Sequence, residues 1–506
     1  MSQVTALPRV LVEVDGAPLL PEDASTLASV RVRQVLSMPA LCELAFVAPR
    51  GPLAAAAGAA AGARLRVAVP GRPEALFLGE VTAVEHAYGP AGQREVRMRG
   101  YDRLHRLRQR QPVRTHVEVT ALDLARELTA DLGVEVEAAS PGPLWPRLYQ
   151  HRQSDLELLR DVCERCGLFF TLRGDTLHLL TLEGSGETLP LELGRSLLEA
   201  RVESNADPVC RTVQVDGWDP LRIEPRQGSA GSPRSGRRVT AGVDPGQVGG
   251  TGERTLSGET AASDRQAEAL AQAELDRRVA REVIFWGVAD GDPRLRPGTS
   301  IEVEGVARPL SGRYVVTAAT HTIDTASGFL SEISTAPPEL RERARGSVAA
   351  LGMITRVDDP EKLGRVRATL PAYGDLETDW MGVLSPGAGA GKGFISLPDT
   401  GDQVLVLFAR EDPGQGVVLG GLYGVGGPPD AGVEEGAVRR YTLLTPGGQR
   451  MRFDDHSRTI RLEDGGGSFL EMSPELVRLS SAVDLEIEAP GRRVVIRSDK
   501  IDFERR

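Results

Sequence analysis

Residues 437–506 set the tightest limit on what this chain can become. Short segments with apolar residues at every second position follow one another there: Ile460 and Leu462, Leu470 and Met472, Val477 and Leu479, then Val483, Leu485 and Ile487, Val494 and Ile496, Ile501 and Phe503. Alternation of period two marks a β-strand with one buried face. The residues in between are Arg, Glu, Ser and Asp, so the other face is wet. One narrow apolar ridge cannot enclose its own core, whereas three copies wound about a common axis can. A homotrimer with an intertwined β-helix or prism is expected. Its core would be Ile460, Leu462, Leu470, Met472, Val477, Leu479, Leu485, Ile487, Val494 and Ile496.

The remainder of the 506 residues also reads as mainly β, because 57 Gly and 34 Pro favour short strands joined by turns. Hydrophobic residues at 41% and charged residues at 26% are those of a chain that folds into several domains. Lys and Arg total 60 against 71 Asp and Glu, a net charge of −11, so the clustered cations that a phosphate backbone demands are missing and nucleic acid is not an expected partner. Four cysteines cannot form a secreted disulfide framework. Residues 1–14 show no basic start followed by an apolar run, and no apolar window reaches membrane-spanning length. Synthesis in the cytoplasm without a signal peptide is the expectation.

Helix signals are local and few. Thr120 three residues before Asp123, and Ser154 three before Glu157 with Gly167 as the stop, bracket an α/β piece; Ser263 before Gln266 opens an Ala/Leu-rich helix ending near Arg281. Residues 225–260, rich in Gly, Ser, Pro and Arg, read as a mobile surface loop. The Ala/Gly tract Gly51 to Ala63 reads as a loop or short helix. An internal echo links two distant regions. Gly62-x-x-Leu65-x-Val67 followed by Gly79-x-Val81-Thr82 and His86 matches Gly298-x-x-Ile301-x-Val303 followed by Gly312-x-Tyr314-Val315-Val316-Thr317 and His321, as if one β-barrel unit were used twice.

Candidate chemistry is sparse. Cys163-x-x-Cys166 lies inside a capped helix with no second pair, which points to a structural role. The run Gly387 to Gly393 lacks the Gly and the Ser or Thr that a phosphate loop needs, and Phe394 to Pro398 after it reads as a strand rather than a helix. The seven histidines are dispersed, and the acid pairs Asp358-Asp359 and Asp454-Asp455 sit beside turns. No catalytic, cofactor-binding or metal-binding residues are assigned.

Several segments resemble the VgrG-like hub and spike proteins of contractile injection systems, in which a relative of phage late control protein D is joined to a phage baseplate spike. Gln153 to Arg160 running on to Cys166-Gly167-Leu168-Phe169-Phe170, the turn Gly217-Trp218-Asp219-Pro220, and Leu295-Arg296-Pro297-Gly298 with Ser311 to Thr317 are similar to the hub. Leu351-Gly352-Met353, Asp359-Pro360, Gly364-Arg365-Val366, Trp380, Gly401-Asp402-Gln403-Val404, Asp412-Pro413 and Leu419 to Tyr423 are similar to the spike's OB-fold. The resemblance implies a mainly β chain with an α/β insert: a first tube-like barrel over 1–115, an α/β hub domain over 116–200, a second tube-like barrel over 201–340, an OB-fold over 347–425 and the trimeric β-helix over 437–506. Six barrels per trimer would adapt the machine's hexameric inner tube to a three-fold, membrane-puncturing spike. Implied partners are the inner tube protein, baseplate proteins, a PAAR-type tip protein docking at Ile501 and Phe503, effector cargo, and the target membrane only during puncture. Residues 423–441 leave no room for the lysozyme domain some relatives carry, so a structural protein rather than an enzyme is implied, assembled into an injection particle and delivered outward on contraction. The competing reading is a trimeric envelope-degrading hydrolase or carbohydrate-binding spike.

Overall fold

The computed structural model describes residues 10–55, 61–219, 224–340, 346–409 and 412–504. It falls into two compact units, Met1–Gly421 and Leu422–Arg506.

An eleven-stranded sheet organises the first unit. At its middle, strand Ala318–Asp324 pairs antiparallel with strand Leu27–Val35, His321 opposite Val32, so chain ends far apart in sequence are stitched into one surface. From that seam the sheet runs one way through Leu41–Val47, Arg94–Tyr101, Ala75–Tyr88, Arg64–Ala68 and Leu11–Val14, and the other way through Gly328–Ser334, Val283–Asp290 and Leu197–Ser204. Alternation decides which side is dry: Val30 and Val32 are buried while Arg31 and Arg33 face solvent. Each half has its own core, with Val32, Leu44, Phe46, Val67 and Met98 in one and Leu197, Phe285, Ile301, Val303 and Ile333 in the other.

The echo between the halves is structural. Gly62 N donates to Val81 O at 2.8 Å and Val81 N to Ala63 O at 2.8 Å; in the second half Gly298 N donates to Val316 O at 2.7 Å and Val316 N to Thr299 O at 2.9 Å. Gly62 and Gly298 both have φ near +90° (92° and 85°), where a side chain would strain the backbone. The later glycines are not equivalent, since Gly79 precedes Val81 by two residues and Gly312 precedes Val316 by four. The histidines differ too. His86 is half-buried, whereas His321 is fully buried with Nδ1 2.9 Å from Ser331 Oγ, and desolvation pushes it down to about 4.

Besides the single turn Pro21–Ala24, three longer helices pack in series among the described residues. Helix α1 (Ala121–Thr129) and helix α2 (Asp155–Cys166) both begin with complete capping boxes, at Thr120 and Ser154. Their buried faces share a core with Trp145, Leu168 and Phe170, and Cys163 and Cys166 are part of that packing. All four cysteines are buried, and none forms a disulfide. Helix α3 (Asp264–Glu282), capped by Ser263, lies on a three-stranded sheet of Thr212–Asp219, Glu224–Ala230 and Glu253–Thr260.

This sheet corrects the expectation of a mobile loop over residues 225–260, which carry two of its strands. Glycine is what permits them. A Cβ on Gly228 would fall 2.2 Å from the Ala267 carbonyl carbon, so only glycine lets the strand approach α3 this closely. The Arg-rich stretch that follows is tied down by ion pairs, Arg234 to Asp276 at 2.8 Å and Arg237 to Glu282 at 3.0 Å. Of the tract Gly51 to Ala63, Pro52–Ala54 forms one short helical turn, while residues 56–60 lie outside the described residues, as does Pro220 of the Trp-Asp-Pro turn.

A small six-stranded barrel follows, where an OB-fold was expected. Its six strands run in the order Leu376–Glu377, Arg367–Leu370, Ser347–Arg356, Gln403–Ala409, Gly416–Gly421, Gly382–Val383, and a bridge between Val366 and Met381 joins the two ends of the sheet. Val404, Val406, Phe408, Ile354 and Val418 fill it. Tyr149, from the strand before α2, belongs to the same core, and Arg147 reaches Asp379 at 3.6 Å. These contacts tie the barrel to the strand that precedes α2. Phe394 to Pro398, expected as a strand, pairs with no strand among the described residues.

The second unit opens with a two-stranded hairpin, Val433–Glu434 and Ala437–Val438, and continues as a five-stranded antiparallel meander of Arg440–Leu444, Arg450–Asp454, Thr459–Glu463, Phe469–Met472 and Val477–Ser480. Beyond Ser480 the described chain has no regular secondary structure.

Candidate assembly surface on the C-terminal sheet

The register of the meander sorts its side chains into two chemically opposite faces. One row across the sheet reads Tyr441, Phe453, Ile460, Met472, Val477; the next reads Leu443, Met451, Leu462, Leu470, Leu479. Each strand contributes one residue to each row, and every one of them is apolar or aromatic. None is buried: Tyr441 is 60% exposed, Val477 66% and Leu479 59%. The other face carries the charges. Arg450 and Glu463 pair across strands at 3.2 Å, Arg461 and Glu471 at 3.0 Å, and the Arg461 guanidinium lies 4.0 Å from the centre of the Phe469 ring. These exposed pairs contribute little stability each, but they settle which face is wet.

A two-row face of this extent leaves on the order of 700 Å² of apolar side chain in water, above the ~300–600 Å² of the largest patch on a typical monomer. It is chemically a half-core.

Of the residues expected in a trimer core, Ile460, Leu462, Leu470, Met472, Val477 and Leu479 are brought together on this face. Leu485, Ile487, Val494 and Ile496 are not; they lie in the stretch without strands, 57%, 70%, 54% and 68% exposed respectively. Ile501 and Phe503, expected to dock a tip protein, are exposed at 51% and 94%. Tyr441, Leu443, Met451 and Phe453 were missed, although Tyr441-x-Leu443 and Met451-x-Phe453 carry the same alternation one hairpin earlier.

The acid pairs prove to be turn builders. Asp359 accepts hydrogen bonds from Glu361 N (3.1 Å) and Leu363 N (2.9 Å) and a two-pronged contact from the Arg365 guanidinium (2.7 and 3.0 Å), with both side chains nearly inaccessible. The Arg365 hydrogen bonds hold its carboxyl well below the usual carboxylate range. Asp454 accepts from His456 N and Ser457 N, both at 3.0 Å. Asp359 and Asp454 are thus engaged within their turns, Asp359 by backbone N–H groups and Arg365, Asp454 by backbone N–H groups. Among the described residues no cluster of His, Cys, Asp and Glu could hold a metal ion, and no helix is long and apolar enough to cross a membrane.

Comparison with known proteins adds family and fold. The family model of the phage tail baseplate hub (GPD) matches residues 34–327, and that of the type VI secretion system/phage-baseplate injector OB domain matches residues 350–423. Among solved structures, the chain is similar to the E. coli c3393 protein, a type VI secretion component described as resembling T4 tail proteins gp27 and gp5, at 13% identity and TM-score 0.56, over 81% of this chain and 99% of that one. It is also similar to a chain of the lidded Francisella PdpA-VgrG complex, at 8% identity and TM-score 0.54, over 93% of this chain and 80% of that one. Comparison with curated proteins returned no match. With the hub model spanning more than half of the sequence and the injector OB model covering the barrel beyond it, the chain belongs to the phage tail baseplate hub family and is a structural hub and spike protein.

Proposed function

We propose that this protein is the central spike of a contractile injection particle, working as a homotrimer. The observation that carries the proposal is the two-row apolar face of the C-terminal meander, which a single chain leaves in water. Three copies facing a common axis would bury it, and residues 481–504, alternating but unpaired, would gain strand partners from neighbouring copies. The echo supports the hub role, with its first copy in the eleven-stranded sheet and its second in a three-stranded sheet of Ser185–Glu192, Thr299–Glu304 and Gly312–Val315. Two similar units per chain make six per trimer, a match for a hexameric inner tube. The five-part division into two tube-like barrels, an α/β domain, an OB-fold and a spike belongs to the same proposal.

The role is mechanical and non-enzymatic, supported by family matches to structural baseplate components and by the engagement of Asp359 and Asp454 in turns. Tail and baseplate proteins are the proposed partners. Mixed with the inner tube protein of its own system, the protein should cap tube ends in negative-stain images, and tubes with bare ends would overturn the hub role. A clean zymogram and glycan screen are expected as well; a lytic band or bound glycan would favour the hydrolase or carbohydrate-binding reading. Ile501 and Phe503 are proposed to dock a PAAR-type tip. Deleting residues 500–506 should abolish tip binding and leave the trimer intact, while undiminished binding would refute that docking site.

A further inference from the structure

The glycine run that is no phosphate loop has a different use. Gly389 and Lys392 exchange backbone hydrogen bonds at 3.0 and 3.1 Å, and Phe394 N donates to Pro386 O at 3.0 Å, so residues 385–398 form a narrow arm standing off the OB barrel. Its apolar side chains have nothing to cover them: Phe394 is 51% exposed, Ile395 83% and Leu397 43%. Lys392 is its only charged residue.

The barrel itself has a matching surface. Strands Ser347–Arg356, Gln403–Ala409 and Gly416–Gly421 lie side by side, and Arg356 is the one charged residue in all three, in a chain that is 26% charged. Their outward residues line up as Leu351 beside Leu405 and Ala349 beside Leu407 and Val417, with Met353 and Leu419 flanking them. Charge depletion of this kind is the mark of an interface core, and it leaves nothing to attract a phosphate backbone or an anionic lipid surface.

We infer that the arm of one protomer seats on the uncharged barrel face of the next. Arm and face are both exposed on the same chain, so the arm does not cover its own barrel. Each copy offers one of each, and a head-to-tail contact of this sort closes when the rotation brings the last copy to the first. Arm plus face present on the order of 900 Å² of apolar side chain per seam. With flanking polar atoms that approaches the ~1,200–2,000 Å² buried in stable interfaces. The inference rests on the homotrimer proposed above, and its test separates the two.

In the full chain, Ile395→Cys and Leu407→Cys are combined and treated with a short bismaleimide; Cys42, Cys163, Cys166 and Cys210 are buried and stay silent. Boiled SDS gels should show a covalent ladder ending at three chains for the double variant and single chains for each variant alone. If light scattering reads a trimer while the double variant yields only single chains, the arm contact is overturned and the trimer stands. If light scattering reads a monomer, both fall.

Discussion

Leu462→Asp is expected to turn the assembled protein into monomers. Leu462 sits on the central strand of the meander, opposite Met451 on one side and Leu470 on the other, in the middle of its row. In a trimer every copy brings the same carboxylate to the dry interior. Desolvating each costs several kcal/mol, and like charges near one axis add to that cost. The concentration at which the trimer dissociates should therefore rise by at least ~1,000-fold. Arg478→Ser, on the charged face of the same sheet, should leave assembly unchanged. Sedimentation velocity across a dilution series reads both, and a Leu462→Asp protein of unaltered mass would mean that this face is not what joins the copies.

Asp359→Ala should destabilise the OB barrel by about 2–3 kcal/mol, because it removes the two-pronged partner of the buried Arg365 guanidinium, leaving it the more exposed Glu361 carboxylate at 3.1 Å, and removes the acceptor for Glu361 N and Leu363 N. The hub should keep its own core, so denaturant unfolding is expected to split into two transitions, the earlier one belonging to the barrel. The pH dependence follows from the direction of the shift. The folded carboxyl ionises below its unfolded value, so its contribution is complete at neutral pH. It is lost as pH falls through and below the ordinary carboxylate range. The variant should show a flatter acid limb than the parent protein. A single transition at the parent midpoint would contradict this account of the turn.

What could be read from the sequence was what is settled locally. The three helices announce themselves because a cap is a contact between residues three apart: Thr120 with Asp123, Ser154 with Glu157, Ser263 with Gln266. The repeated halves were visible through Leu65, Val67, Ile301 and Val303, whose alternation reflects the two cores. The strands within 225–260 were invisible because their support comes from elsewhere in the chain, from the backbone of Ala267 against Gly228 and from Asp276 and Glu282 on α3. Phe394 to Pro398 misled in the opposite direction, since an extended apolar run becomes a strand only when another strand pairs with it.

The same reasoning covers the candidate assembly surface. The alternation of Ile460 to Leu479 was enough to place six residues on one face, because each is paired within the chain. Leu485, Ile487, Val494 and Ile496 carry an identical pattern, yet the chain offers them no ladder. On the trimeric account their partners belong to other copies. The first hairpin, with Tyr441, Leu443, Met451 and Phe453, carries the same alternation and is paired within the chain in the same way.

The most direct test is the solution mass of the full chain by light scattering. Three chains of 54.2 kDa should read about 160 kDa. That mass should hold down to micromolar concentration, and the trimer band should persist in SDS without boiling. A stable species at the mass of one chain would contradict the account, because the two-row face would then be covered by something other than its own copies.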